Sequence, residues 1–343
     1  MNRIGFCTLF ALASLVAGGS ADEKSTGPGY QVTDKFVLGG EGGWDYLSFD
    51  GNANRLYIAR SNRVTVVDMD KGKQCGEVLK TQGVHGVALV PKAKRGFTSN
   101  GGDDSVTEFD LKTLEEVARI KVGKRPDAII YDSATNRVFT MNAGSKDATA
   151  IDVKTEKVVG TVDLGGKPEF AVSDEKGHIY VNIENKSEVV EFDADKLKVL
   201  NRWPLAPGEE PAGLAIDVAH RRLFATCHNE KMVVLDADSG KVLASPAIGK
   251  GTDACVFDPE KGLAFSSNGD GTLTIVRDDG KGKYEVAETV KTQAGARTMT
   301  LDPKTHKIFL VTAKPKAGER RAFEPDTFTV LVVAPGKAKP EGK

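Results

Sequence analysis

The stretch Lys157 to Asp193, KVVGTVDLGGKPEFAVSDEKGHIYVNIENKSEVVEFD, holds the pattern on which the whole chain is built. Short apolar runs rich in valine and aromatic residues are broken at Asp163, Gly165-Gly166, Asp174 and Glu184-Asn185, where turn-forming residues cluster. Runs of that length between such turns read as antiparallel strands. Val189 to Asp193 alternates as a strand with one packed face does.

Working outward, the same unit recurs seven times. An apolar strand ends in a turn residue at Asp50, Pro91, Asp132, Asp174, Asp217, Asp258 and Asp302, at spacings of 41, 41, 42, 43, 41 and 44 residues. That period is the length of a propeller blade. Six or seven residues after each turn comes an aromatic in a second strand: Tyr57, Phe97, Phe139, Tyr180, Phe224, Phe265 and Phe309. A third, alternating strand follows, as in Val64 to Asp68 and Val106 to Asp110, and six units carry a fourth. The seventh lacks it, because after Val333 the chain runs into Ala334-Pro335-Gly336 and a basic tail. Tyr30 to Val37 resembles the fourth strand of unit six, Tyr284 to Val290, and so supplies the missing one. The expected fold is all-β: a seven-bladed β-propeller of four-stranded blades over 30–336, its ring closed by the N-terminal strand 30–38. The repeats argue for one domain, although 343 residues would by length alone suggest two.

Val158-Val159-Gly160-Thr161-Val162, Lys167-Pro168, Ile179-Tyr180-Val181-Asn182 and Glu191-Phe192-Asp193 together resemble the YVTN, or YncE-like, β-propeller repeat. The likeness covers nearly all of the chain after its leader. It implies the fold and an exported or surface setting; members serve different binding roles, so no single activity follows from it.

The first residues read as a secretory leader: Arg3, an apolar run from Ile4 to Val16, and small residues Gly19-Ser20-Ala21 before a cleavage point near Ala21. The run is too short for a bilayer, which needs about 20 residues. A periplasmic or secreted monomer with no membrane span after cleavage is expected, with a linker at 22–29 and a disordered basic tail at 337–343. Basic and acidic residues number 47 and 48, for a formal net charge of −1, which leaves no overall basic field for nucleic acid. Cys75, Cys227 and Cys255 have no CxxC spacing, so a disulfide framework, a covalent haem and a zinc ribbon are not indicated. Cys227 and Cys255 are expected as buried small hydrophobes unless neighbouring blades bring them into a pair.

In a repeat, a residue present in every blade belongs to the scaffold, whereas a ligand meets only some blades. The recurring aspartates are thus turn residues that bind backbone amides, and the recurring aromatics are packing. The start of each innermost strand behaves otherwise: Trp44-Asp45, His85-Gly86, Pro126-Asp127, Pro168-Glu169, Pro211-Ala212, Thr252-Asp253 and Ala296-Arg297. Four acids against one arginine give a formal charge of −3 at one channel mouth. A purely structural reading has each acid capping a strand start or pairing with Arg125, Lys167 or Arg297. The facing loops add Arg60 and His228 among asparagines and glycines whose tolerance of positive φ accounts for their presence. His178, His220 and His306 fall in turns and are expected to be solvated.

The candidate ligand-binding residues are therefore Trp44, Asp45, Arg60, His85, Asp127, Glu169, His228, Asp253 and Arg297. No motif assigns a catalytic residue: HExxH, GxSxG and a P-loop are absent. Gly39-Gly40-Glu41-Gly42-Gly43 precedes a strand and reads as a flexible crossing into blade one. The expected function is binding of a small ligand, cation or protein partner at the mouth. The alternative is an enzyme of lyase or lactone-hydrolase type on the same face, with His85 or His228 as base. A metal ion there would be held by His85 and His228 with Asp45 or Asp127. Local single-strand nucleic-acid binding, the third reading, would fall to the basic blade-seven loop 313–326, with Lys314, Lys316, Arg320 and Arg321, a candidate lid or contact arm.

Overall fold

Short β-branched runs cannot bury both faces alone, so each four-stranded unit must stack on the next. The computed structural model describes Met1 and residues 27–278, 282–316 and 322–336. There, twenty-eight strands form seven antiparallel four-stranded sheets. The leader, most of the linker, Arg320, Arg321 and the basic tail lie outside the described residues. Blades one to six occupy 47–79, 84–121, 126–163, 168–204, 211–244 and 252–291, and blade seven combines 299–335 with the N-terminal strand. No helix among the described residues is long and apolar enough to cross a membrane.

Seven hydrophobic clusters fill the seven blade interfaces, and each draws residues from two neighbouring blades. The seven repeating aromatics all lie in them, none more than 3% exposed. The turn aspartates bind backbone as expected: Asp50 Oδ1 accepts from the Asn52 amide at 2.9 Å and Asp217 Oδ1 from the Ala219 amide at 3.0 Å. His306 departs from expectation. Its imidazole, 15% exposed, joins the turn aspartate of the preceding blade, with Nδ1 2.7 Å from Asp258 Oδ2, whereas His220 is 74% exposed. Cys227 and Cys255 are buried free thiols.

The ring closes as the sequence implies. Tyr30–Val37 pairs antiparallel with Thr329–Pro335, Tyr30 opposite Pro335 and Val37 opposite Thr329, with a bulge between Val32 and Asp34. Tyr30 is buried and packs edge-on against Phe265 of blade six, at 5.2 Å between ring centres. Deleting Tyr30 to Leu38 bares the edge of Thr329–Pro335 and removes part of the blade six to seven core. Thermal unfolding of that truncation is expected to broaden and its midpoint to fall by more than about 10 °C; a sharp transition at the wild-type midpoint would refute the closure role.

Candidate functional site

In five blades the innermost strand changes register where it leaves the mouth. The shifts lie between Val84 and Gly86, Pro126 and Ile129, Pro168 and Ala171, Pro211 and Leu214, and Thr252 and Ala254. A bulge re-aims the side chain within it, and here the bulged segments carry His85, Asp127, Glu169, Ala212 and Asp253. Side chains on one blade then anchor the mouth residues of the next. Ser99 donates to the Asp127 carbonyl, Asn182 to the Ala212 carbonyl at 2.9 Å, and Ser267 to the Arg297 carbonyl.

The mouth acids bind side chains, not strand-start amides. His85 Nδ1 is 2.6 Å from Asp45 Oδ2 and 3.7 Å from Asp127 Oδ1. Arg297 Nε donates to Asp253 Oδ2 at 2.6 Å, and Lys167 Nζ lies 2.6 Å from Glu169 Oε1 while also pairing with Glu184. Arg125 pairs with none of them; its amide instead donates to Asp104 at 2.9 Å. Lys167 and a protonated His85 thus offset much of the −3 expected from residue types alone.

Burial and mutual repulsion displace the titrations. Burial works against a charged His85, but the hydrogen bond it donates to Asp45 and the charges of Asp127, Asp45 and Glu169 outweigh it and raise its pKa to about 9. Burial lifts Asp127 to about 6, with Asp45 and Asp253 adding to the rise and His85 opposing it. Burial, then the Asp127 charge, pushes Glu169 upward against its pairing with Lys167. Asp253 is also raised, by burial first.

Two residues that sequence reasoning passed over shape this mouth. Tyr46 crosses the channel from blade one and meets Phe170 of blade four edge-on at 5.1 Å. Its phenol is raised well above its usual pKa by burial and by the charges of Asp127, Glu169, Asp45 and Asp253. Gly101 makes room for His85, since a Cβ there would lie 2.9 Å from imidazole Cδ2 and Nε2. Steric clearance, rather than positive φ, explains that glycine. The loop asparagines need a similar correction. Asn100, Asn142 and Asn268 are fully buried and bind neighbouring Thr and Ser hydroxyls, as in Asn100 Nδ2 to Thr107 at 2.9 Å.

Arg60 is not a mouth residue. It is 1% exposed, its guanidinium lies 3.6 Å from the centre of the Phe328 ring, and it donates to the carbonyls of Gly43 at 3.0 Å, Glu41 at 2.7 Å and Gly42 at 3.2 Å. Arg63 adds a bond to Glu41 at 2.9 Å. The glycine-rich crossing is therefore an arch tied to two arginines.

Beside the charged cluster is a cavity of about 520 Å³. Trp44 and Phe323, with ring centres 4.5 Å apart, line it together with Thr252, Asp253, Arg297 and His228. His228 stands apart from His85, with Nδ1 3.7 Å from Glu210. The sequence candidates thus divide into two groups: Asp45, His85, Asp127 and Glu169 at the channel, and Trp44, His228, Asp253 and Arg297 around the cavity.

With that geometry, solved structures place the chain among seven-bladed β-propellers. It is similar to Kuenenia stuttgartiensis hydrazine synthase, with 15% identity over 87% of this chain and 96% of that one and a TM-score of 0.70. It is similar also to U3-55K, with 9% identity over 88% of this chain and 99% of that one and a TM-score of 0.74. Identities this low carry the fold alone. A scan against protein-family models found no match, and neither did a search of curated proteins.

Two predictions follow from the site. Arg60→Leu leaves several carbonyls without donors, and chemical denaturation is expected to show a loss of about 2–4 kcal/mol; a loss within experimental error would mean that the arch holds itself. Second, Asp127 and His85 both keep their protons to higher pH folded than unfolded. Stability is therefore surrendered as pH rises, from the ordinary 3.8 to about 6 for Asp127 and from 6.5 to about 9 for His85. After discounting for solvent screening, about 1–2 kcal/mol is expected to be lost between about pH 5 and 9, with Asp127→Asn flattening the lower half. A melting temperature that rises across this range contradicts the assignment.

Proposed function

We propose that this chain is an exported β-propeller of the YVTN type that binds a small molecule in the mouth cavity. The observation that carries the reading is that one cavity of about 520 Å³ is lined both by an aromatic pair, Trp44 and Phe323, and by the Asp253–Arg297 ion pair. That volume suits a small ligand. Asp253 presents an acceptor beside the guanidinium donors of Arg297, which is 42% exposed. The matching head group offers a donor and an acceptor side by side, as an amide or a zwitterionic amino acid does, on a flat or aliphatic body. The carboxylates nearby disfavour a purely anionic ligand. The leader ending near Ala21 supports a periplasmic or secreted setting.

The enzyme reading gains one observation, the 2.6 Å contact between His85 and Asp45, the kind of bond that orients a general base. The same contact keeps the imidazole protonated at neutral pH, which suits binding and charge stabilisation better than proton abstraction. The nucleic-acid reading gains no such observation: Arg320 and Arg321 lie outside the described residues, and Lys314, 68% exposed, stands 3.8 Å from Glu324.

A thermal-shift panel of amides, amino acids, amines and dicarboxylates tests the proposal, followed by calorimetry on the hits. Neutral and zwitterionic compounds are expected to stabilise the protein most. Trp44→Ala and Asp253→Ala should each weaken binding by about tenfold or more, the equivalent of about 1.4 kcal/mol. Hits that bind both variants as tightly as wild type would place the site elsewhere.

A further inference from the structure

The channel cluster lies outside the proposed ligand cavity and has its own chemistry. Asp45, His85 and Asp127 come from blades one, two and three, and one donor atom from each lies within 4.8 Å of the other two. We propose that these three side chains bind a divalent transition-metal ion of the zinc or cobalt class, leaving a further coordination position for water.

Four features of the site carry this. The first is distance: donors bound at about 2.0–2.2 Å in a tetrahedral site lie roughly 3.4 Å apart. His85 Nδ1 stands 2.6 Å from Asp45 and 3.7 Å from Asp127, and the two acid oxygens lie within 4.8 Å of each other, so carboxylate movements of about 1 Å bring the three donors to that spacing. The second is availability, because the Asp127 carboxylate, 18% exposed, accepts no hydrogen bond from any described residue and its ion-pair partner is His85 at 3.7 Å, so its oxygens are open to an ion. An ion between them takes the place of the imidazole proton.

The third is rigidity. The Tyr46 amide donates to the His85 carbonyl at 3.1 Å, the Asp45 amide to Ala59 at 3.2 Å, and Ser99 holds the Asp127 carbonyl. Gly101 leaves room for the imidazole in the orientation that points Nδ1 at both acids. The fourth is donor type. One imidazole and two carboxylates neutralise a divalent charge, and imidazole favours zinc, cobalt or nickel over calcium or magnesium, which take oxygen.

The test uses the full mature chain without a histidine tag, stripped with chelator and titrated with Co(II). One equivalent per chain is expected, with a visible absorption band of a low-coordinate N/O site that Zn(II) abolishes. His85→Ala and Asp127→Asn should each weaken uptake by more than about 100-fold, beyond what loss of an outer-shell partner causes. Asp45→Asn, expected to show the same loss, replaces either variant that fails to melt cooperatively. Phe323→Ala, altered in the neighbouring cavity without a change of charge, should bind cobalt as wild type does, so that failure of this site and of the ligand cavity are told apart. Absence of saturable cobalt uptake by the wild type, or uptake unchanged in the folded variants, overturns the proposal.

Discussion

Antiparallel pairing between Tyr30–Val37 and Thr329–Pro335 is the interaction on which the rest of the molecule depends. Every other blade is a local meander, drawn from one continuous stretch of chain. Blade seven alone takes strands from both ends, and Glu288 of blade six ties the entering chain down by accepting from the Gly29 and Tyr30 amides at 2.8 and 3.1 Å. Closure sets the radius of the circle, and the radius sets how near one another the seven strand starts must stand. An open ring would let its like charges drift apart into water.

That constraint explains why the mouth can hold Asp45, Asp127, Glu169 and Asp253 around the phenol of Tyr46. Carboxylates brought together under partial burial repel, and each is expected to shift or to find a cation. On the opposite face each recurring aspartate commits one carboxylate oxygen to the backbone amides of its own turn, as Asp258 Oδ1 does with the Glu260 amide at 3.1 Å, even where the other oxygen meets a side chain, as Asp258 Oδ2 meets His306. Those bonds are part of the turn and do not change partner without unfolding it. The mouth acids instead meet side chains, which a ligand or an ion can displace. The two acidic populations therefore differ in chemistry even though composition counts them together.

Much of the scaffold was legible in the sequence because a repeat reports its own architecture: Tyr57 and Phe265 occupy equivalent places, and so do Asp50 and Asp217. The mouth row was legible as the place where the repeat breaks. What could not be read was direction. Arg60 breaks the pattern as a binding residue would, yet its guanidinium turns inward to the Gly40–Gly43 carbonyls and the face of Phe328. Tyr46 follows a strand-start residue by one position, and only the channel width reveals that it reaches Phe170 three blades away. Gly101 looks like turn chemistry until the imidazole beside it is placed. His306 pairs across a blade boundary that no local pattern marks. Each miss concerns a contact between segments distant in sequence, where periodicity carries no information.

The position of the cavity follows from the same closure. The innermost strands of blades one and seven, Leu47–Asp50 and Met299–Asp302, have four residues, whereas those of the other five blades have six or seven. Both short strands lie at the seam, and the chain before them is less regularly paired: ahead of Leu47 the Asp45 amide and the Tyr46 carbonyl still bond to Ala59, with no further strand. Trp44 and Arg297 lie in the segments before those strands, outside the ladder, and Phe323 enters from the long loop of the same blade that the N-terminus completes. The seam that closes the ring is thus also a sector where the repeat gives way, and from it Trp44, Arg297 and Phe323 line the cavity that Thr252 and Asp253 of blade six complete.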